Sequence, residues 1–267
     1  MSAFNLLRHV TLRQLPFLAV CGFLLGLFQY LICAAVSSTN VGPALETMIR
    51  SLPPVLQNVL TTQFGGLSER GLLAFGWNHP IAQALGMAVA IVLAARAVAG
   101  EIESGAVEFL LGQPLSRTTY FATHVAFALT ALAAMSLLAM AGTWIGLSVF
   151  HKPLFGAQQL LTLALNYFLL QSAWFGITLL FSVHGQEGGR IAGIGFLIAL
   201  GSYFGQVVGR LWSDAAFVLP WTLHQYFSPQ AILLEGAPVT ASFATLGAVS
   251  IVAIGLAGWR FRRRDLP

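Results

Sequence analysis

Long uncharged runs alternate with short charged connections along this chain, and six of the runs have the length of a membrane-crossing helix. They lie at about 16–37, 81–100, 119–149, 157–183, 191–211 and 238–259, against the roughly 20 apolar residues that a helix needs to cross the hydrocarbon. The third and fourth runs are long enough to tilt or to reach beyond it. Before Pro16, Phe4, Leu7, Val10 and Thr11 with Arg8 and Arg13 form the pattern of a short amphipathic helix lying on the membrane surface. Arg8 and Arg13 precede a long apolar run with no short h-region and small-residue cleavage site, so that run is expected to stay as the first span.

The connections are patterned too. From about Ser38 to Pro80 the longest loop repeats Leu52, Val55, Leu56, Val59, Leu60 and Phe64 at helical spacing after Pro53 and Pro54, which predicts one or two interfacial helices on the outer side. From about Trp212 to Pro238 a second outer segment carries Trp212, Trp221, Tyr226 and Phe227, rings that anchor at headgroup level. Six spans place both termini on one side. Arg8, Arg13, Arg96, Arg117, Arg190, Arg260, Arg262, Arg263 and Arg264 fall on that side, and Arg50, Arg70, Lys152 and Arg210 on the other, so the positive-inside bias predicts cytoplasmic termini.

Composition agrees with the pattern. The chain is 57% hydrophobic and 8% charged, where a soluble domain carries about 25% charged residues. We therefore expect one all-α integral membrane domain over residues 1–267. The net charge of +4 does not mark a nucleic-acid partner, because the basic residues are scattered at helix ends except for the cluster Arg260, Arg262, Arg263 and Arg264, which suits anionic lipid. Cys21 and Cys33 stand on one predicted helix, roughly 18 Å apart along its axis and too far for a disulfide.

Several chemistries are excluded. A phosphate-binding P-loop needs a lysine after a glycine-rich turn, and the sole lysine, Lys152, stands beside Pro153 in a short connection. Ion-coupled carriers place ionisable groups near the bilayer midplane, yet all nine acidic residues fall in connections or at predicted helix ends. Gln29, Gln83, Asn166, Gln171 and Gln206 are neutral and suit hydrogen bonding between helices. No His-Glu-x-x-His pair offers a zinc site, and Ser202, His184 and His224 sit in segments predicted at different depths, which argues against a serine hydrolase dyad. No catalytic, cofactor or metal residue is assigned.

The informative connection joins the second and third spans, from Gly100 to Arg117. Gly105 to Leu111 can form about two helical turns with Val107, Leu110 and Leu111 on one apolar face, stopped by Gly112 and Pro114. Glu101 and Glu103 fall just before or at its start, where the helix dipole favours carboxylates. Negative charge here runs against the positive-inside bias and points to a protein partner rather than lipid.

At Glu101, Glu103, Gly105, Leu110, Leu111, Pro114, Ser116 and Arg117 the chain resembles the permease subunits of type-2 (ABC-2) exporters of the ABC transporter class. Tyr226-Phe227-Ser228-Pro229 and the terminal Phe261-Arg262-Arg263-Arg264-Asp265-Leu266 agree, and within the class the chain looks most like the branch that includes the permease of the nitrous-oxide-reductase copper-maturation system. Where members often carry a lysine after the motif arginine, His124 stands here. The resemblance implies a multi-pass permease of a bacterial cytoplasmic (inner) membrane, acting in efflux. It implies a homodimer and two copies of a separate ATP-binding subunit, in which ATP and Mg are bound, with no cofactor in this chain. The resemblance makes Glu101, Glu103, Gly105, Val107, Glu108, Leu110, Leu111, Pro114 and Arg117 the coupling contact for that subunit. The competing reading is a membrane scaffold that recruits a cytoplasmic factor without transport.

Overall fold

A computed structural model describes residues 3–38, 47, 50–53, 57, 68–105, 116–236 and 239–264. The described residues are mostly helical, and none of them forms a strand. Six stretches are long and apolar enough to cross a membrane: Phe4–Ser37, Glu69–Glu103, Arg117–Val149, Ala157–Ser182, Gly188–Leu211 and Thr240–Arg263. The protein is an all-α, multi-pass integral membrane protein.

The first helix, α1 (Ala3–Ser38), contains Pro16 without a break. A separate amphipathic helix before Pro16 is therefore not what forms. Leu6, Val10, Gln14, Cys21, Leu25, Gln29, Cys33 and Val36 are all buried, one stripe at near-helical spacing that keeps its phase across Pro16. The tertiary contacts of that stripe hold the turn that proline weakens, as packed membrane helices do.

The second span is two helices in line. In α2 (Glu69–Asn78) the Ser68 hydroxyl accepts the Gly71 N–H and caps the start. After a break at His79, α3 (Pro80–Ala95) begins with its proline in the first turn, where no N–H is needed. Gln83 donates from its side chain to the Trp77 carbonyl at 2.9 Å, closing the break from within. The expected span at 81–100 is thus extended backwards by a helix assigned above to the outer connection, because Leu73, Ala74 and Trp77 are buried against the bundle. Val55, Leu56, Val59, Leu60 and Phe64 of the expected interfacial helices lie outside the described residues.

The remaining spans are α4 (Arg117–Val149), α5 (Ala157–Ser182), α6 (Gly188–Leu211) and α7 (Thr240–Arg263). With 33 residues, α4 reaches roughly 50 Å, beyond the hydrocarbon thickness. Most of α5 and of the second span is buried, whereas α6 and α7 expose much of their surface at the periphery. Lipid supplies no hydrophobic drive between helices, so close contact of small residues must hold them. Gly22-x-x-x-Gly26 of α1 meets Gly142-x-x-x-Gly146 of α4: a Cβ on Gly142 would collide with the Gly26 carbonyl, and one on Gly146 would lie 2.5 Å from Cys33 Cβ.

Between α6 and α7 the chain does more than form an aromatic belt. Trp212, Phe217 and Trp221 are exposed as anchors would be, but His224 and Phe227 are fully buried. The segment folds back into the bundle end, where its backbone must be satisfied by protein. Gln206 donates to the His224 carbonyl at 2.8 Å. Asn166 donates to the Tyr226 carbonyl at 3.2 Å and accepts the Ser228 N–H at 3.2 Å. Two of the neutral polar residues expected to join helices therefore hold a connecting segment instead.

Candidate coupling site

The end of the bundle that holds the start of α1 and the end of α7 is built around an irregular exit from the second span. After α3 the helix widens into a π-helical turn, Arg96–Gly100, followed by a last turn, Glu101–Glu103. A π turn breaks the regular hydrogen-bond ladder, and neighbouring spans supply partners here. Ser182 of α5 accepts the Ala99 N–H at 3.0 Å and donates to the Ala95 carbonyl at 3.2 Å, while the Tyr120 hydroxyl of α4 donates to the Ala97 carbonyl at 2.9 Å. A Ser182→Ala variant leaves the buried Ala99 N–H without its acceptor, a loss of about 1–3 kcal/mol. A thermal unfolding series in lipid nanodiscs is expected to show that lowered stability.

The two acidic residues stand on this last turn, at the C-terminal end of the second span, not at the start of a following helix. The helix dipole disfavours carboxylates at that end, and each is compensated by another span. Glu101 is buried, and one carboxylate oxygen pairs with Arg13 of α1 at 2.7 Å. Glu103 accepts the Gly188 N–H at 2.8 Å, at the N-terminus of α6, where a carboxylate gains about 0.3–1 kcal/mol. Arg96 also reaches α1, donating to Gln14 at 2.8 Å. Gly188 permits this junction, since a Cβ there would sit 2.9 Å from Gly100 Cα.

Gly105 has φ +70° and its N–H bonds the Ile102 carbonyl at 3.0 Å. It is the left-handed stop of the preceding helix, so it is not the first residue of a new one as expected above. Val107, Glu108, Leu110, Leu111 and Pro114 lie outside the described residues. On the far side of the connection Ser116 caps α4 by accepting the Thr119 N–H. Arg117 donates to the Arg264 carbonyl, so it grips the end of α7.

The terminal arginines are also engaged. Arg264 donates to the carbonyls of Val183 and Gly185 at 2.8 and 2.9 Å. Arg260 donates to His184 at 3.2 Å, and the Arg263 guanidinium lies 4.5 Å from the centre of the Trp259 ring. A cleft of about 370 Å³ opens beside the junction, lined by Arg13, Arg96, Glu103, Ser104, Gly188 and Gly189 among others. The chain leaving Glu103 is thus fastened to α1 and α6 on one side and, from Arg117, to α7 on the other. Sequence reasoning missed Arg13, Gln14, Ser182, Gly188 and Arg264 as members of this junction; only the in-phase placement of Arg13 and Gln14 beside Val10 offered a signal.

Ser202 and His224 are not at different depths: the His224 Nδ1 lies 3.1 Å from the Ser202 hydroxyl. The pair has little capacity for base chemistry, because burial pulls the His224 imidazole down to about 3, far below the neutral range that suits a general base. Trp174 and Tyr203 pack their rings against it at 5.6 and 5.4 Å.

No curated protein matches the chain. Residues 11–266 match the family described as ABC-2 family transporter protein. That match takes in both sides of the junction and all six spans. The chain accordingly belongs to the ABC-2 transporter family, as the non-catalytic membrane permease component of an ABC transporter, a family that in general associates with an ABC ATP-binding subunit.

Proposed function

We propose that this permease is the transmembrane subunit of an ATP-driven exporter in a bacterial cytoplasmic membrane, with both termini in the cytoplasm. Two copies pair as a homodimer around a pathway, and two ATP-binding subunits, carrying ATP and Mg, dock on the connection between the second and third spans. Gly105, Val107, Glu108, Leu110 and Leu111 form the contact, bounded by Pro114 and Arg117. Within the family we place the chain in the branch that includes the permease of the nitrous-oxide-reductase copper-maturation system.

One observation supports this reading above others. The residues that lead into the connection are tied to two different spans, Glu101 to Arg13 of α1 and Glu103 to the first turn of α6. A push on the connection is therefore delivered to both spans at once. Coupling needs a differential free energy of a few kcal/mol between two arrangements, and a lever fastened at its root transmits such a preference where a slack tether dissipates it.

Replacement of Glu103 by alanine in the assembled transporter tests this. The α6 tie is lost, and transport per ATP hydrolysed is expected to fall about tenfold, the equivalent of 1.4 kcal/mol of lost coupling. Transport and stimulated ATPase activity both at wild-type levels remove the coupling role. Failure to co-purify any ATP-binding subunit favours the scaffold reading instead.

A further inference from the structure

The Arg13–Glu101 pair uses only half of the Glu101 carboxylate. Its second oxygen, Oε2, is buried and has no hydrogen-bond partner among the described residues, and the same holds for Nε2 of His124 on α4. Both side chains are more than nine-tenths buried. They line one small cavity together with Arg13, Gln14 and Arg96. A buried carboxylate oxygen without a partner costs more than a neutral group would, so two unpartnered buried polar atoms on residues that line one space call for an occupant.

The surroundings define that occupant. The space open to the centre of a water-sized molecule is about 10 Å³, which is the room that one water needs. Arg13, Arg96 and His9 all act electrostatically on Glu101, so a cation is disfavoured there. An anion is disfavoured by the carboxylate itself. The remaining class is a neutral molecule of one heavy atom that both donates and accepts. Tyr120, whose ring lies 4.6 Å from that of His124, is not the missing donor to Glu101 Oε2, because its O–H is given to the Ala97 carbonyl.

We infer that this cavity is a binding site for one ordered water, which bridges Glu101 Oε2 to His124 Nε2 and makes His124 the third arm of the junction. The water donates to the carboxylate, and its oxygen accepts the N–H of His124 protonated at Nε2. Glu101 then joins three elements: α1 through Arg13, the end of the second span through its own backbone, and α4 through the water and His124. His124 is a positioning residue here, since it acts on Glu101 through the water. The inference concerns the permease alone and holds or fails independently of what the transporter moves.

The test uses the purified full-length chain in lipid nanodiscs. His124→Leu removes the nitrogen, and its apparent unfolding midpoint is expected to fall by about 3–6 °C. His124→Gln, which keeps a donor of similar reach, recovers much of that loss. In a Glu101→Gln background the His124→Leu penalty shrinks, because the two residues act on one bridge. A density map of the wild-type protein at a resolution that shows ordered waters is expected to place one peak within hydrogen-bond distance of both atoms. Equal His124→Leu penalties in both backgrounds overturn the inference, as does a map with that position empty. The map alone decides if His124→Leu does not fold.

Discussion

Gly142→Leu is expected to prevent α1 from docking, and the variant should fail to accumulate as a folded, monodisperse protein. The Gly142 Cα already faces the Gly26 backbone, and an added Cβ would collide with the Gly26 carbonyl oxygen rather than with a movable side-chain tip. Overpacking a core costs about 1–3 kcal/mol when side chains can yield, and more when backbone must move. The contact is repeated one turn away, where Gly146 meets Cys33, and Gly22 faces Leu138 with an added Cβ 2.6 Å from its Cδ1. With no hydrophobic drive between helices in lipid, nothing replaces this packing once the helices part. Gly255→Leu is the control, since nothing lies within 4 Å of a Cβ added there. Size-exclusion profiles and thermal unfolding should separate the two variants sharply; equal behaviour would show that the α1–α4 contact does not hold the bundle.

Arg13→Leu should give the second-largest loss. It strands Glu101, whose side chain is 6% exposed, while the arginine side chain it removes is 43% exposed. Removing one partner of a buried pair costs about 3–5 kcal/mol, and the partial exposure of Arg13 places the expected cost near the lower figure. The double variant Arg13→Leu with Glu101→Leu is expected to be more stable than Arg13→Leu alone, because no charge is then left buried without a partner. Midpoints measured for the two singles and the double decide this. A double variant no better than Arg13→Leu would mean that the loss comes from packing of the arginine stem.

Much of the architecture was legible because lipid imposes a simple rule on sequence. The expected span at 119–149 became Arg117–Val149, and that at 157–183 became Ala157–Ser182, since an uncharged run ends where charge or a cap appears. The rule misled where charge and burial coexist. Arg8 and Arg13 made the start of α1 look like a surface element, although Leu6, Val10 and Gln14 already continued the buried stripe of the span. Glu69, Arg70 and the His79-Pro80 pair made α2 look like loop, although Ser68-Glu69 is a helix start and Pro80 suits a first turn.

The junction was half legible. Glu101 and Glu103 stood out because carboxylates are rare in this chain, but their direction was read from local sequence alone. Their partners, Arg13 and the Gly188 N–H, come from spans 88 and 85 residues away, and no local pattern encodes such a pairing. Gly105 reads in sequence as the start of a helix, and its left-handed φ makes it the stop of the preceding one. The paired glycine motifs of α1 and α4 were plain in the sequence and went unused, since a small-residue repeat names no partner until the helices are placed.

The most direct test of the account asks what the exit from the second span touches. Ser104 is exposed, next to Gly105 and one residue past the tied Glu103, and is replaced by a photo-crosslinking amino acid in cells that express the whole transporter. The account expects an adduct with the ATP-binding subunit, and labelling of a cysteine placed at the same position only from the cytoplasmic side. Labelling from the opposite side of the membrane, or an assembled transporter that yields no adduct with that subunit, would contradict it.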